Sequence, residues 1–215
     1  MVKIAVLGAG TVGRTLAAGW VRAGHRVVLG SRDPASERVT AAVAETGAAG
    51  AAEHAEAVSA CDVVVVTVPG DQVEGLIGAL GGALAGRVAV DATNHLAPGT
   101  TVLHHVDALT AAGATTFRAF CTTGWEQMAR PMFGTERCDL PYAGPDAGRT
   151  TVDGLVADLG FRPVWLGDGP DALALADALA RLWFQLAFSR GWGRRLGWRL
   201  LSADDETTVP EAAGR

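Results

Sequence analysis

Gly8-Ala9-Gly10-Thr11-Val12-Gly13 forms a G-x-G-x-x-G turn, and its flanks give it a chemical meaning. The apolar run Val2-Lys3-Ile4-Ala5-Val6-Leu7 leads into it and an apolar helix leaves it, which is the context in which such a turn binds a dinucleotide. Gly8 permits the tight turn, Gly10 lets backbone approach a pyrophosphate, and Gly13 lets the helix lie against the strand. The phosphates then sit on unpaired N–H groups at the helix start. A second strand, His25 to Gly30, ends in Ser31-Arg32. An NAD site usually places an acidic residue there, whereas a hydroxyl plus a guanidinium suits a 2′-phosphate, so the pattern predicts NADP(H). Asp33 is the rival acidic residue, but Asp33-Pro34 reads as an N-cap followed by the first residue of the next helix.

Ligands in an open parallel sheet lie beyond the carboxyl ends of the strands, which singles out Val68-Pro69, Thr93-Asn94-His95 and Cys121 to Trp125. Val68 and Pro69 suit a wall under the nicotinamide, although Pro69 can equally end a strand. Asn94 offers a donor and an acceptor at the ring end, or closes an Asx turn. His95 is the candidate proton donor. Cys121 reads as a buried thiol before a nucleophile, and Trp125 either faces a planar ring or packs against the last helix. The remaining histidines lack metal-ligand spacing, so no metal site is expected. Lys3 is the only lysine and Tyr142 the only tyrosine. Tyr142 is followed by Ala143-Gly144-Pro145-Asp146, which excludes a Tyr-x-x-x-Lys dehydrogenase, and Lys3 lies inside the first strand, so the chemistry proceeds without a catalytic lysine.

The segments Ile4 to Gly13, Val28-Leu29-Gly30-Ser31-Arg32 and Thr67-Val68-Pro69, in this spacing, resemble the NADPH-dependent coenzyme F-420 reductase family over about residues 2 to 201. The resemblance implies a single, dimeric domain that moves hydride between NADP and a deazaflavin. It marks Ala9, Gly10, Thr11, Val12, Ser31, Arg32 and Pro69 as NADP neighbours, and places Thr123 and Trp125 where nicotinamide and deazaflavin meet. Cys121-Thr122-Thr123-Gly124 stands where the best-known members carry a histidine followed by Thr-x-Pro. Stacked planar rings need no compulsory acid or base for hydride transfer, which suits a chain without catalytic lysine. A deazaflavin's phosphate and glutamyl tail would favour arginines; Arg190, Arg194, Arg195 and Arg199 cluster late, with Arg118 and Arg130 elsewhere, unless these only solvate a helical face. Two other functions stay open: an NADPH-dependent reductase of a small carbonyl or imine, which would need His95 or Cys121 as proton source, and a non-enzymatic NADPH sensor.

The elements that must position these residues alternate. Helices are expected over about Thr11 to Ala23 (Val12, Leu16 and Trp20 inward), Pro34 to Thr46, Val73 to Leu84, Val102 to Ala112 and Ala147 to Leu159. Strands are expected in the Ala- and Gly-rich stretch 47–52, over Cys61 to Val68, Arg87 to Asp91, Thr115 to Phe120, Leu140 to Gly144 and Arg162 to Leu166. This order predicts an α/β, Rossmann-type doubly wound, mostly parallel sheet, extended by its last strands, with a C-terminal helical extension. Residues 1–166 would form the NADP-binding domain and 167–201 a terminal helix packing on it or on a dimer partner. The polar, acidic stretch 202–215 reads as a disordered tail. In helix 171–188, Leu175, Leu179, Leu182 and Leu186 form one stripe, with Trp183, Phe184, Ala187 and Phe188 adding a second apolar face, which points to a homodimer. Asp177, Arg181 and Gln185 interrupt the run before a membrane span accumulates.

A net charge of −5 argues against a nucleic-acid surface. Three unevenly spaced cysteines fit reduced thiols rather than disulfides or zinc, and the N-terminus enters a strand without room for a leader. The expected setting is the cytoplasm, without nucleic acid or membrane, with a small-molecule hydride donor or acceptor as partner.

Overall fold

A computed structural model describes residues 1–94 and 103–201. Six parallel strands form the main sheet: β1 (Lys3–Leu7), β2 (Arg26–Ser31), β3 (Gly50–Glu53), β4 (Val63–Val66), β5 (Val88–Asp91) and β6 (Thr115–Arg118), in the order β3-β2-β1-β4-β5-β6. The order reverses between β1 and β4, which opens a crevice at their carboxyl ends. Helices α1 (Thr11–Arg22), α2 (Glu37–Thr46), α3 (His54–Ser59), α4 (Val73–Leu80) and α5 (Leu103–Ala111) connect the strands and cover both faces. The period of two sorts the core. Ile4, Val6, Val63 and Val65 join Leu16 and Trp20 in one layer, while Ala5, Leu7, Val64 and Val66 join Val73, Leu76 and Ile77 in the other. β4 is all valine because it is covered on both faces, and none of its residues is more than 1% exposed.

Beyond β6 come α6 (Trp125–Ala129), a hairpin of β7 (Met132–Phe133) and β8 (Glu136–Arg137), then β9 (Asp139–Tyr142), α7 (Arg149–Asp158), β10 (Arg162–Trp165) and α8 (Gly169–Phe184). The last strands do not simply extend the main sheet: β9 and β10 pair parallel with each other and meet it through one antiparallel bridge, Arg118 to Ala143. The short hairpin has no apolar alternation to announce it.

α2 starts three residues later than expected. Its N-cap is Ser36, and Asp33 lies in the preceding turn, where its carbonyl accepts from the Ser36 hydroxyl at 2.8 Å. α8 is capped by Asp168, whose side chain accepts from the Gly169 N–H at 2.6 Å, and it continues as a π-turn over Gln185–Ser189. Its inward face is not the leucine stripe. Ala172, Ala176, Ala180 and Ala187 are buried together with Trp183, whereas Leu175, Leu182 and Phe188 are 55, 45 and 52% exposed. Small side chains let α8 lie close enough for Asp177 to reach the domain interior. By length and composition alone Gly169–Ser189 could cross a membrane, but the Asp177 contact to fully buried Arg118 ties it into this fold. Residues after α8 fold back: the Trp183 and Trp198 indoles donate to the carbonyls of Leu196 and Thr122, each at 2.7 Å. The expected tail 202–215 lies outside the described residues.

Candidate functional site

The glycine turn is built as its spacing requires. Gly8 has φ +117°, and a Cβ on Gly13 would stand 2.0 Å from the Gly8 carbonyl, so helix and turn can touch only through glycine. The Thr67 hydroxyl donates to the Leu7 carbonyl at 2.9 Å and the Gly8 carbonyl at 3.2 Å, pinning the turn to β4. Gly10 differs: nothing lies within 4 Å of where its Cβ would be. That open side faces a cleft of about 950 Å³ lined by Gly8 to Val12, and α1 begins there without a side-chain cap. Unpaired N–H groups beside open space fit a pyrophosphate.

The cleft runs from the ends of β2 and β3 to those of β5 and β6. At the first end it is lined by Ser31 and Arg32, as expected, and also by Ser36, Arg38 and His54. Asp33 is not among the lining residues, so the preference for a 2′-phosphate stands for a different reason than N-capping. Two guanidiniums and two hydroxyls converge where NAD sites carry a carboxylate. Burial and then the Arg32 charge lower the pKa of His54, keeping it neutral at pH 7. Ser36 and Arg38 fall inside the helix expected over Pro34 to Thr46, which hid their role; the S-x-R spacing at a late helix start was the available signal.

At the other end Val68, Pro69, Ala92, Thr93, Asn94 and Trp125 line the cleft, joined by Phe184 and Arg194 from the C-terminal segment. Thr123 is not brought to the cleft; it is 6% exposed and its hydroxyl is buried without a partner. Gly13 likewise packs behind the turn rather than lining the cleft. His95 lies outside the described residues. Of the late arginines only Arg194 reaches the cleft, held by Glu126 at 2.7 Å, whereas Arg199 pairs with Glu136 and Asp139.

Arg118, one of the arginines named above as able to favour an anionic tail or merely to solvate a face, is instead fully buried beneath this end. It donates to the Asp91 carboxylate at 3.0 Å, the Thr93 carbonyl at 2.6 Å and the Asn94 side-chain oxygen at 3.3 Å, and lies 3.6 Å from Asp177. Burial by itself would lower its pKa, but its neighbours Cys121, Asp91 and Asp177 together raise it, and it stays a cation. The Asn94 amide also donates to the Cys121 carbonyl at 3.2 Å, so the side chain is oriented from both ends. Thr93 meets Asp91 at 2.7 Å and the buried His105 at 3.2 Å. Cys121 is fully buried; burial outweighs the Arg118 charge and raises its pKa to about 11, so it remains a packed thiol. Phe120, just before it, has φ +64°, a left-handed turn that costs about 1 kcal/mol and is held by edge-on packing against Trp20. Among the described residues no group of His, Cys, Asp or Glu could hold a metal ion.

Residues 3–95 match the family described as NADP oxidoreductase, coenzyme F-420-dependent. A protein from Arthrobacter sp. FB24, provisionally assigned as an F-420-dependent NADP reductase, superposes with a TM-score of 0.81 at 26% identity, over 94% of this chain and 100% of its own. Over residues 3–95 the chain is similar to this family. A hypothetical protein from Sinorhizobium meliloti shares 28% identity over 78% of this chain and 86% of its own, with a TM-score of 0.65. An imine reductase from Streptomyces aurantiacus has the same fold, with a TM-score of 0.70 at 23% identity over 88% of this chain and 64% of its own. Among curated protein sequences there is no significant match. Family and fold support an NADP-dependent oxidoreductase, and the two-arginine end of the cleft agrees with the cofactor.

Proposed function

We propose that the protein passes hydride between NADP(H) and a planar deazaflavin of the coenzyme F-420 type, or a related flavin. One observation carries the reading: the ring end of the cleft is walled by Trp125 and Phe184 with Arg194 beside them, and no carboxylate, lysine, tyrosine or thiol is among the described lining residues. His54 is the histidine among the described lining residues, its pKa lowered by burial and by Arg32, and it sits at the far, 2′-phosphate end. Bound NADP(H) would supply or take the hydride; the chain's part is to hold two planes face to face and keep water out. Gly10 and the start of α1 hold the diphosphate, Pro69 and Val68 support the nicotinamide side, and Asn94, fixed by Arg118, orients the ring end.

Three buried free cysteines fit a reducing, cytoplasmic setting. The exposed stripe of Leu175, Leu182 and Phe188 fits a homodimer contact.

A carbonyl or imine reductase remains the second reading because His95 directly follows Asn94, which lines the cleft. Stopped-flow absorbance with labelled NADPH separates the two. Deazaflavin or flavin reduction with His95→Gln retaining most of the rate supports the ring acceptor; turnover of a carbonyl or imine alone, with His95→Gln losing about 100-fold or more, overturns it.

A further inference from the structure

Reduction by hydride also consumes a proton. NADPH gives up a hydride and becomes NADP⁺; the acceptor forms one C–H bond with it and, at a conjugated nitrogen or oxygen, one N–H or O–H bond, so each turnover takes up one proton. A planar ring and an imine obey the same balance. His54 lines the opposite, 2′-phosphate end of the cleft, whereas Thr93 lines the ring end beside Asn94. Behind Thr93 lies a buried imidazole. The Thr93 hydroxyl donates to Asp91 Oδ1 at 2.7 Å and stands 3.2 Å from Nδ1 of His105, which α5 supplies and which is 1% exposed. A hydroxyl carries one proton and the shorter contact takes it, so Nδ1 is the donor toward Thr93. Asp91 does not depend on that hydroxyl: Oδ1 also accepts the Thr93 N–H at 2.9 Å, and Oδ2 accepts from Arg118 at 3.0 Å. The elements packed against α5 are β5, β6, α4 and α8. They bring Asp91, Arg118 and Asp177 to this network, with the neutral Cys121 thiol after β6, while Glu74 of α4 and Asp107 of α5 itself are exposed. Two carboxylates against one guanidinium leave one negative charge, which a protonated His105 balances.

Resting on the reading above only in that NADPH reduces an acceptor in this cleft, we infer that His105 and Thr93 form a relay that supplies the acceptor's proton. The Thr93 hydroxyl turns from Asp91 to the acceptor and its O–H bond breaks as the acceptor's N–H or O–H bond forms. The Nδ1 proton of His105 passes to the Thr93 oxygen, and the imidazole is left neutral. Asp91 keeps its bonds to the Thr93 N–H and Arg118, so no buried carboxylate is left unpaired when the hydroxyl turns away. Once product has left, water in the cleft returns a proton to His105 through the same hydroxyl. Hydride transfer to NADP⁺ runs each step in reverse and releases the proton. Thr93 is the group that touches the acceptor; His105 and Asp91 are positioning residues that act through it.

The test follows NADPH oxidation by coenzyme F-420 and, separately, by a cyclic imine, in stopped flow with the full chain in H2O and in D2O. The wild type should show a solvent isotope effect of about two on turnover. Thr93→Val keeps the shape and removes the hydroxyl; it should lower kcat about 10- to 100-fold and abolish that isotope sensitivity at the relay, with NADPH affinity within about twofold. Thr93→Ser should recover most of the loss. His105→Gln should match Thr93→Val, and the double variant should be no slower than either alone, because the two act as a unit. The Val and Ser pair at Thr93 decides the matter whether or not His105→Gln folds. Undiminished kcat in Thr93→Val, failure of Thr93→Ser to recover it, or losses that fall on NADPH affinity instead of kcat overturn the relay. Turnover of the imine alone, still dependent on the Thr93 hydroxyl, would leave the relay standing and defeat the deazaflavin reading; turnover of neither acceptor would defeat both.

Discussion

Replacing Arg32 with Ala is the sharpest test of the cofactor. NADPH and NADH differ only in the 2′-phosphate, and Ser31, Arg32, Ser36 and Arg38 line the cleft where that phosphate would fall. A charge-assisted hydrogen bond is worth about 1.5–3 kcal/mol, or roughly 10- to 150-fold in affinity. Both arginines are exposed and Arg38 survives the substitution, so the lower part of that range applies, about 10- to 30-fold for NADPH. NADH should change by less than about twofold. Because each arginine covers for the other, the double replacement of Arg32 and Arg38 should cost more than the two single losses combined. Calorimetric titration of both cofactors against the wild type and three variants gives all the needed numbers. The Arg32 charge also contributes, after burial, to the lowered pKa of His54, so Arg32→Ala should move that imidazole back toward its ordinary value in an NMR titration. Equal losses for NADPH and NADH, or tighter binding of NADH by the wild type, would refute the phosphate assignment.

The exposed stripe of α8 predicts a dimer in sedimentation at micromolar concentration and a monomer for Leu182→Glu; a wild-type monomer would leave Leu175 and Phe188 facing solvent. Burial holds Cys121 and Tyr142 in their neutral forms, with the Asp153 hydrogen bond adding to the effect at Tyr142. Their stabilisation is complete below the unfolded values of 9 and 10 and is lost as pH rises through the raised native ones, so melting temperature should fall above pH 9, less steeply in Tyr142→Phe. Burial would raise the pKa of Asp139, but Arg162, the Leu200 N–H and Arg199 outweigh it and hold the pKa low. Asp139→Asn should therefore destabilise the protein above pH 4, with the loss narrowing as the wild-type carboxylate protonates on acidification, and should speed amide exchange at Trp198 and Leu200; unchanged exchange would show that the segment is held otherwise.

The nucleotide half was legible because its chemistry is local. Three glycines, a four-valine strand and Ser31-Arg32 are contiguous words whose geometry follows from backbone sterics and period. Ser36, Arg38 and Phe184 were not legible, since their role depends on where a helix starts or how a distant one docks. The orientation of α8 was not legible for a related reason: a 3.6-residue period identifies two apolar faces but not which of them turns inward. Small alanines won because the close approach that brings Asp177 to Arg118 leaves no room for leucine. Arg118 itself reads in sequence as one more arginine, and only pairing with Asp91 across neighbouring strands explains its burial.

The Arg118 contacts join residues far apart in the order of synthesis. Asp91 precedes it, but Asp177 is supplied by the last helix, fifty-nine positions later. Until that helix is made, a guanidinium on the edge strand of the nucleotide module has one carboxylate instead of two and is not yet sealed from water. The nascent module can pair its strands before α8 emerges, yet the guanidinium that holds Asn94 gains its second carboxylate only when the chain's end arrives. Shortening the protein to its fingerprint domain would thus remove more than an interface. It would leave the floor of the reaction chamber resting on an open charge.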